Sequence, residues 1–391
     1  MQYYRKKIEK IFCASLTDFY YSDIIGVKTI EEQMMMEKKK ISSTLIDVAR
    51  KAGVSTATAS RVLSNADYPV SKELRKKVIK ASAELNYVPN VFGKLLKGSA
   101  SNVIGIIMPS LQNPFYNQII FGIESAAAKY GCEIRLFSSH RNMEQERLSI
   151  LTLLRSRVMA LIIISIDNSP EALNNYIACG GKVALLEAEF ELENAITAET
   201  DWFGAGRIAA GHLAALGHKN IAFLTSPLTK TFRREILAGV KAELAGKDCG
   251  FSDEDVFEAT AEEESYTGIY EFEIGYQLTG DVLRSRKKYT AIISINDITA
   301  FGVIQALTQN SISVPGDVSV IGFDNIMYSK MISPPLTTVE LPSGNMGRTA
   351  CQMLIAAMDA GTEDLSSVSF SFPCRLKMRK STAEWISAAE Q

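Results

Sequence analysis

Hydrophobic and polar positions along the chain change their pattern near Ser101, and two kinds of region follow from that change. From Thr44 to Asn86 the apolar residues are small and spaced at three and four, which predicts three short helices. The first runs from Leu45 to Lys51 and ends at Ala52-Gly53, where glycine can take the left-handed turn. The second, Thr56 to Leu63, restarts at once behind Ser55, a candidate N-cap, and Val48, Ala49, Val54, Ala59 and Val62 let two helices cross closely. A third helix follows Val70 behind Ser71. It is expected to turn Leu74, Val78, Ile79, Ala81 and Leu85 inward, with Lys72, Arg75, Lys76, Lys77 and Lys80 toward solvent. Beyond them, Pro89 suits a helix start and Gly98 a helix end.

From Ser101 onward the pattern becomes short apolar runs alternating with helical stretches. The runs are Val103 to Met108, Glu133 to Ser138, Ala160 to Ser165, Lys182 to Leu186, Ile221 to Thr225, Ala291 to Ile295 and Val318 to Phe323. Strands alternating with helices predict a parallel, doubly wound sheet with crossover helices. The length of this region is too great for one such sheet, so two lobes are expected. In such folds ligands sit off the carboxyl ends of strands. The residues there are polar or aromatic where packing would not ask for it: Asn113, Phe115 and Tyr116, then Asn296-Asp297, then Asp324-Asn325.

Charge sharpens this division. The chain has 391 residues and a formal net charge of -2, but thirteen Lys/Arg stand against five Asp/Glu between Glu37 and Gly98. Beyond Ser99 about 24 basic residues face 34 acidic ones, so a basic headpiece precedes an acidic body. That asymmetry is what a polyanion-binding module needs. Helix-turn-helix geometry would put Thr56, Ala57 and Ser60 near base edges, with Ala57 against a thymine methyl and Arg61 on guanine or phosphate. Ser55 and Thr58 would bond phosphates and fix the register. Thr44, Asn65 and Tyr87 complete the DNA-facing set expected of the headpiece. An amphipathic bundle with a solvated basic face is the bland alternative.

Other chemistries find little support. The cysteines Cys13, Cys132, Cys179, Cys249, Cys351 and Cys374 are scattered singly and read as buried small hydrophobes in a reducing cytosol. With His140, His212 and His218 they form no metal-ligand spacing, and neither metal nor cofactor is expected. No membrane span or signal peptide is recognisable, which points to the cytoplasm. The string Gly204 to Ala209 satisfies a loose GxGxxA dinucleotide pattern. However, Thr197 to Asp201 before it are polar, and no acidic residue follows at the right distance to hold a ribose. Small residues on a packed helix explain it better. Residues 1–35 lack a clean period, and the Met34-Met35-Met36 cluster is a candidate true start, with a weakly structured extension as the alternative.

The strings TLIDVARKAGVSTATASRVL and ELNYVPNVFGKLLKG, joined by SLQNPFY, LGHKNIAFL, INDITAFGVIQAL, VPGDVSVIGFDN and PPLTTVELP, closely resemble the LacI/GalR family of bacterial transcriptional regulators. The resemblance spans about Thr44 to Thr382. It implies an all-α helix-turn-helix headpiece (36–88), a hinge helix (89–100) and an α/β two-lobed, type I periplasmic-binding-protein-like effector domain (101–382). Residues 383–391 then form a tail. Lobe 1 would comprise about 101–198 and 341–366, and lobe 2 about 199–340 and 367–382. Asn90 to Lys97 of two subunits would pair over the minor groove, with Leu96 as the wedge and Lys97 beside it. Gly93, where relatives usually carry alanine, weakens that helix.

The resemblance also implies that Asp324 and Asn296 contact an effector and that Phe115 and Tyr116 line the cleft, although Asn296 could merely start a helix and Asp324 brace a crossover. Relatives place an effector arginine three residues before the glycine at Gly239, where this chain has Ile236. Lys230, Phe232, Arg233 and Arg234 are the candidates to replace it. The implied protein is a homodimeric repressor of a carbohydrate-utilisation operon that binds a palindromic operator in double-stranded DNA and answers to a sugar-like effector. A periplasmic solute receptor would share the body but needs a secretory signal and no basic headpiece. An enzyme would need a nucleophile elbow, metal cluster or phosphate loop.

Overall fold

The structure is a computed structural model and describes residues 44–63, 70–85, 87, 102–247, 249–260, 270–360, 365 and 368–386. The expectations for residues 1–35 and for Asn65, Asn90, Leu96 and Lys97 lie outside the described residues. The chain divides into two units, Met1–Ser99 and Ala100–Gln391.

In the first unit, α1 (Leu45–Ala52) opens on a capping box in which the Thr44 hydroxyl and the Asp47 carboxylate satisfy each other's backbone N–H. Gly53 closes it at φ 66°, donating back to Ala49 and Arg50. Helix α2 (Thr56–Leu63) crosses α1, and α3 (Lys72–Glu84), capped by Ser71, covers both. Val48, Ala49, Ala59, Val62, Val78 and Ala81 form the core, with Leu85 and Tyr87 against it. Two residues expected inside are not. Val78, Ala81 and Leu85 make the inward stripe at spacings of three and four, which leaves Ile79 to the side at 53% exposure and Leu74 near the rim at 36%.

The second unit holds two six-stranded sheets. The first contains β1 (Val103–Met108), β2 (Glu133–Ser138), β3 (Ala160–Ile163), β4 (Lys182–Leu186), β5 (Ala195–Thr200) and β11 (Val368–Phe372), in the order β11-β5-β4-β3-β1-β2. The second contains β6 (Ile221–Thr225), β7 (Val256–Glu258), β8 (Ala291–Ser294), β9 (Ser319–Phe323), β10 (Thr337–Glu340) and β12 (Arg375–Lys377), in the order β12-β10-β9-β8-β6-β7. All pairings are parallel except β10 with β12. Central strands read as continuous apolar runs because both faces are covered. Ile104, Ile106 and Met108 of β1 join one core cluster, while Val103 and Ile107 join another on the opposite face. Strand β2 is an edge and mostly exposed.

The chain passes from the first sheet to the second between β5 and α7 (Trp202–Ala215), and back between β10 and α11 (Ser343–Asp359), which packs on α4 (Pro114–Lys129). The final crossing was expected near Ser367. Instead β11 pairs with β5 in the first sheet, and the chain crosses after Phe372. Strand β5 itself was missed, since Thr197, Glu199 and Thr200 hide it among polar residues. A strand does precede the GxGxxA string, and the string's small residues serve helix packing. Gly206 of α7 and Gly239 of α8 (Thr231–Leu244) face each other's helix so closely that a Cβ on Gly206 would meet the Ile236 carbonyl at 2.1 Å, and one on Gly239 the Phe203 carbonyl at 2.0 Å.

Helices α5 (Met143–Arg155), α6 (Glu171–Ala178), α9 (Tyr270–Arg284) and α10 (Asp297–Gln309) complete the layers. Cys351 and Cys374 are buried, and burial pushes both thiols up to about 12. Cys132 and Cys249 are half-buried, but Cys179, which ends α6, is exposed and departs from the expected burial. Among the described residues no helix is long and apolar enough to cross a membrane.

Candidate functional site

In the headpiece, Ser55 caps α2. Its Oγ accepts from the Thr58 N–H at 3.1 Å and lies 2.9 Å from the Thr58 hydroxyl. The pair that was assigned to phosphates thus also holds the helix start. Thr56, Ala57 and Arg61 are exposed, whereas Thr58 and Ser60 are half-buried. The outer face of α2 is therefore small, polar and cationic, as groove entry requires. Thr44 is exposed in its capping box with Asp47. Tyr87 donates its N–H to Ser82 O at 2.9 Å, accepts from Ser82 Oγ at 3.0 Å and packs on the headpiece core, so it braces the unit that presents α2.

In the body, the carboxyl ends of both sheets face one cleft. Asn113 follows β1, and its Oδ1 caps α4 by accepting from the Phe115 N–H at 2.9 Å. Phe115 packs against the core clusters of both lobes and meets the Tyr116 ring edge-on at 5.3 Å. Tyr116 has Arg141, Glu271, Arg233 and Asp324 around it, and burial pushes its phenol up to about 12. From lobe 2, Arg233 is 5% exposed and donates to the Pro227 carbonyl at 2.6 Å. Phe232 beside it stacks on Trp202 at 5.1 Å. Lys230 is half-buried at the N-cap of α8. Arg234 is exposed and bonds Leu228 O, Thr229 O and Thr231 Oγ1, pinning its own loop rather than joining the cleft.

Ile236 lies wholly in the lobe 2 core, and Arg233, about one helical turn earlier, is the buried guanidinium near Tyr116. Asn296 caps α10, accepting from the Thr299 N–H at 2.8 Å, which is the structural one of its two expected roles.

The two carboxylates next to these positions differ sharply. Asp297 is fully buried and accepts from Ser329 Oγ at 2.5 Å, Thr338 Oγ1 at 2.5 Å and the Ile326 N–H at 3.0 Å. Burial pushes its carboxyl up to about 7. Asp324 follows β9, is 6% exposed and holds φ at 105°, a conformation that a side chain rarely adopts. Among the described residues its carboxylate has no hydrogen-bond donor. Burial first, then the nearby Asp297 and Glu271, hold its pKa well above the usual carboxylate range. Among the described residues Asp324 is thus a buried acceptor without a protein donor at the carboxyl end of a strand.

Three cleft residues escaped the sequence reading. Arg141, in a left-handed conformation after β2, reaches the Tyr270 hydroxyl and the Glu271 carboxylate at the start of α9. Arg141 obeys the same strand-end rule that found Asn113. Tyr270 and Glu271 had no local signal.

Comparison with known proteins agrees with this arrangement. Residues 44–90 match the model described as bacterial regulatory proteins, lacI family, and residues 210–382 match a periplasmic binding protein-like domain. The Ribose operon repressor of Escherichia coli (strain K12) is 33% identical over 316 residues, covering 80% of this chain and 92% of that protein. A crystal structure of the lac repressor dimer bound to operator and the anti-inducer ONPF superposes with a TM-score of 0.73 at 29% identity, covering 87% of this chain and 99% of that one. A LacI family transcriptional regulator from Enterococcus faecium with bound ribose gives 0.62 at 25% identity, covering 73% and 100%. The chain belongs to the LacI family of bacterial regulatory proteins.

Proposed function

We propose that the chain is a cytoplasmic, homodimeric, sequence-specific DNA-binding repressor of a carbohydrate-utilisation operon, controlled by a sugar effector through lobe movement. The observation that carries the effector reading is Asp324, a buried carboxylate without a donor among the described residues, close to Tyr116. A carboxylate accepts from adjacent hydroxyls, a guanidinium donates to ring or hydroxyl oxygens, and half-buried aromatics cover a sugar's apolar face. D-ribose is the first effector to test, since one relative is a ribose operon repressor and another was solved with bound ribose.

Within this reading, residues 36–88 contact DNA, 89–100 form the hinge with Leu96 at the operator centre, and 101–382 sense ligand. A two-fold dimer reads the two halves of a palindrome. Binding of sugar to the cleft changes operator affinity by a coupling free energy of about 1–3 kcal/mol. No turnover of the sugar is expected, since the relatives this chain matches are transcriptional regulators. Fluorescence anisotropy on an operator duplex with and without millimolar D-ribose tests the effector assignment. A five-fold or larger shift is expected, and identical curves across the common pentoses and hexoses would overturn it.

A further inference from the structure

Polar contacts cross the cleft at several places, and they differ in burial. Thr231 of lobe 2 donates through N and Oγ1 to Glu189 of lobe 1 at 3.2 and 3.3 Å, in an exposed site. Gln118 Nε2 donates to the Asp324 carbonyl at 3.3 Å. The third set is buried. Glu271 Oε1 accepts from Asn113 Nδ2 at 3.0 Å and from Arg141 at 3.1 Å, with the Glu271 side chain 7% and the Arg141 side chain 21% exposed. The same guanidinium bonds the Tyr270 hydroxyl and lies 4.7 Å from the centre of its ring.

Each partner is fixed independently of the contact. The Asn113 Oδ1 is committed to capping α4, so only its Nδ2 can face Glu271. Arg141 is aimed by a left-handed backbone whose N–H donates to the Pro109 carbonyl at 3.0 Å. Glu271 stands on the first turn of α9, where a carboxylate is favoured by the helix dipole. Asn113 and Arg141 come from the ends of two different strands of lobe 1, and Tyr270 and Glu271 from one helix of lobe 2. Opening the cleft separates all of them at once, and removing the Glu271 carboxylate takes an acceptor from both Asn113 and Arg141.

We propose that Asn113, Arg141, Tyr270 and Glu271 form a latch that favours the closed arrangement of the lobes, with Glu271 as the positioning residue that joins Asn113 and Arg141 across the cleft. The latch deepens the effector-cleft reading but needs no ligand for its operation. The exposed Glu189–Thr231 contact is screened by water and carries little of the closure.

Hydrogen exchange of the full-length protein without ligand tests this. In Glu271→Leu, amides of residues 113–118, 140–143 and 270–274 should exchange faster by on the order of tenfold, while those of β3 and β8 keep their wild-type protection. Glu271→Gln, which keeps an acceptor but no charge, should fall between. Glu189→Ala should match wild type. Unchanged exchange in Glu271→Leu, equal acceleration in the sheet cores, or an effect of Glu189→Ala as large as that of Glu271→Leu would overturn the latch. Because no ligand is added, failure of the latch is distinct from failure of the sugar response.

Discussion

His218 offers a stability test whose magnitude can be worked out contact by contact. The imidazole is 2% exposed. Its Nδ1 lies 2.9 Å from Thr290 Oγ1, and its Nε2 lies 3.0 Å from Ser319 Oγ and 3.1 Å from the Ala383 carbonyl. A carbonyl only accepts, so Nε2 carries the proton and Nδ1 accepts from Thr290. The ring thereby ties the tail to lobe 2, where Trp385 lies 6.1 Å away and donates its backbone N–H to Leu216 O at 2.7 Å. His218→Ala does not orphan every partner. The Thr290 hydroxyl can turn to donate to Asn220 O at 3.4 Å, and Ser319 Oγ still accepts from the Ala383 N–H at 3.0 Å.

The expected cost is therefore about 1 kcal/mol for hydrogen bonds and about 1–2 kcal/mol for the lost ring packing. Burial pushes the imidazole below its ordinary 6.5, so the fold favours the neutral form. This contribution is fully present above the unfolded value of 6.5 and is lost as pH falls through the lower folded value. The gap between wild type and variant should be widest near pH 7.5 and narrower at pH 5. Urea denaturation followed by circular dichroism measures it. No gap at pH 7.5, or one that widens on acidification, would refute the reasoning.

Two further outcomes rest on the structure and a third on the hinge expected for Asn90 to Lys97. Gly239→Val forces side-chain atoms into the Phe203 carbonyl, which sits 2.0 Å from the position of a Cβ, and should cost about 3 kcal/mol or more in a thermal melt. Asp324→Asn removes a buried charge that Asp297 and Glu271 oppose, so stability should hold or rise, while calorimetry should show D-ribose affinity reduced by about tenfold or more. Leu96→Ala should keep weak, salt-sensitive DNA binding but lose most operator affinity, and unchanged specific affinity by anisotropy would remove Leu96 from the operator centre.

Much of this arrangement was legible before the structure. Continuous apolar runs such as Val103 to Met108 signal strands covered on both faces, and the strand-end rule led directly to Asn113, Tyr116 and Asp324. Ser55 and Ser71 marked helix starts correctly because N-cap chemistry is local. What stayed hidden depends on distance along the chain. Strand β5 is apolar only at alternate or broken positions, and β11 finds its place solely by pairing with β5. Arg141 and Glu271 are separated by 130 residues, so no window of sequence could show them meeting. Ile79 was misplaced because spacing alone gave the right helix but one residue too wide a face.

The most direct test of the central claim is selection of full-length protein on a random duplex pool, followed by anisotropy on the enriched sequence at two salt concentrations. The account predicts a palindrome whose half-sites are read by Thr56, Ala57, Ser60 and Arg61, together with a steep fall in affinity as salt rises. Salt-sensitive binding with no enriched palindrome would contradict it, leaving the headpiece as a basic patch and not a reader of sequence.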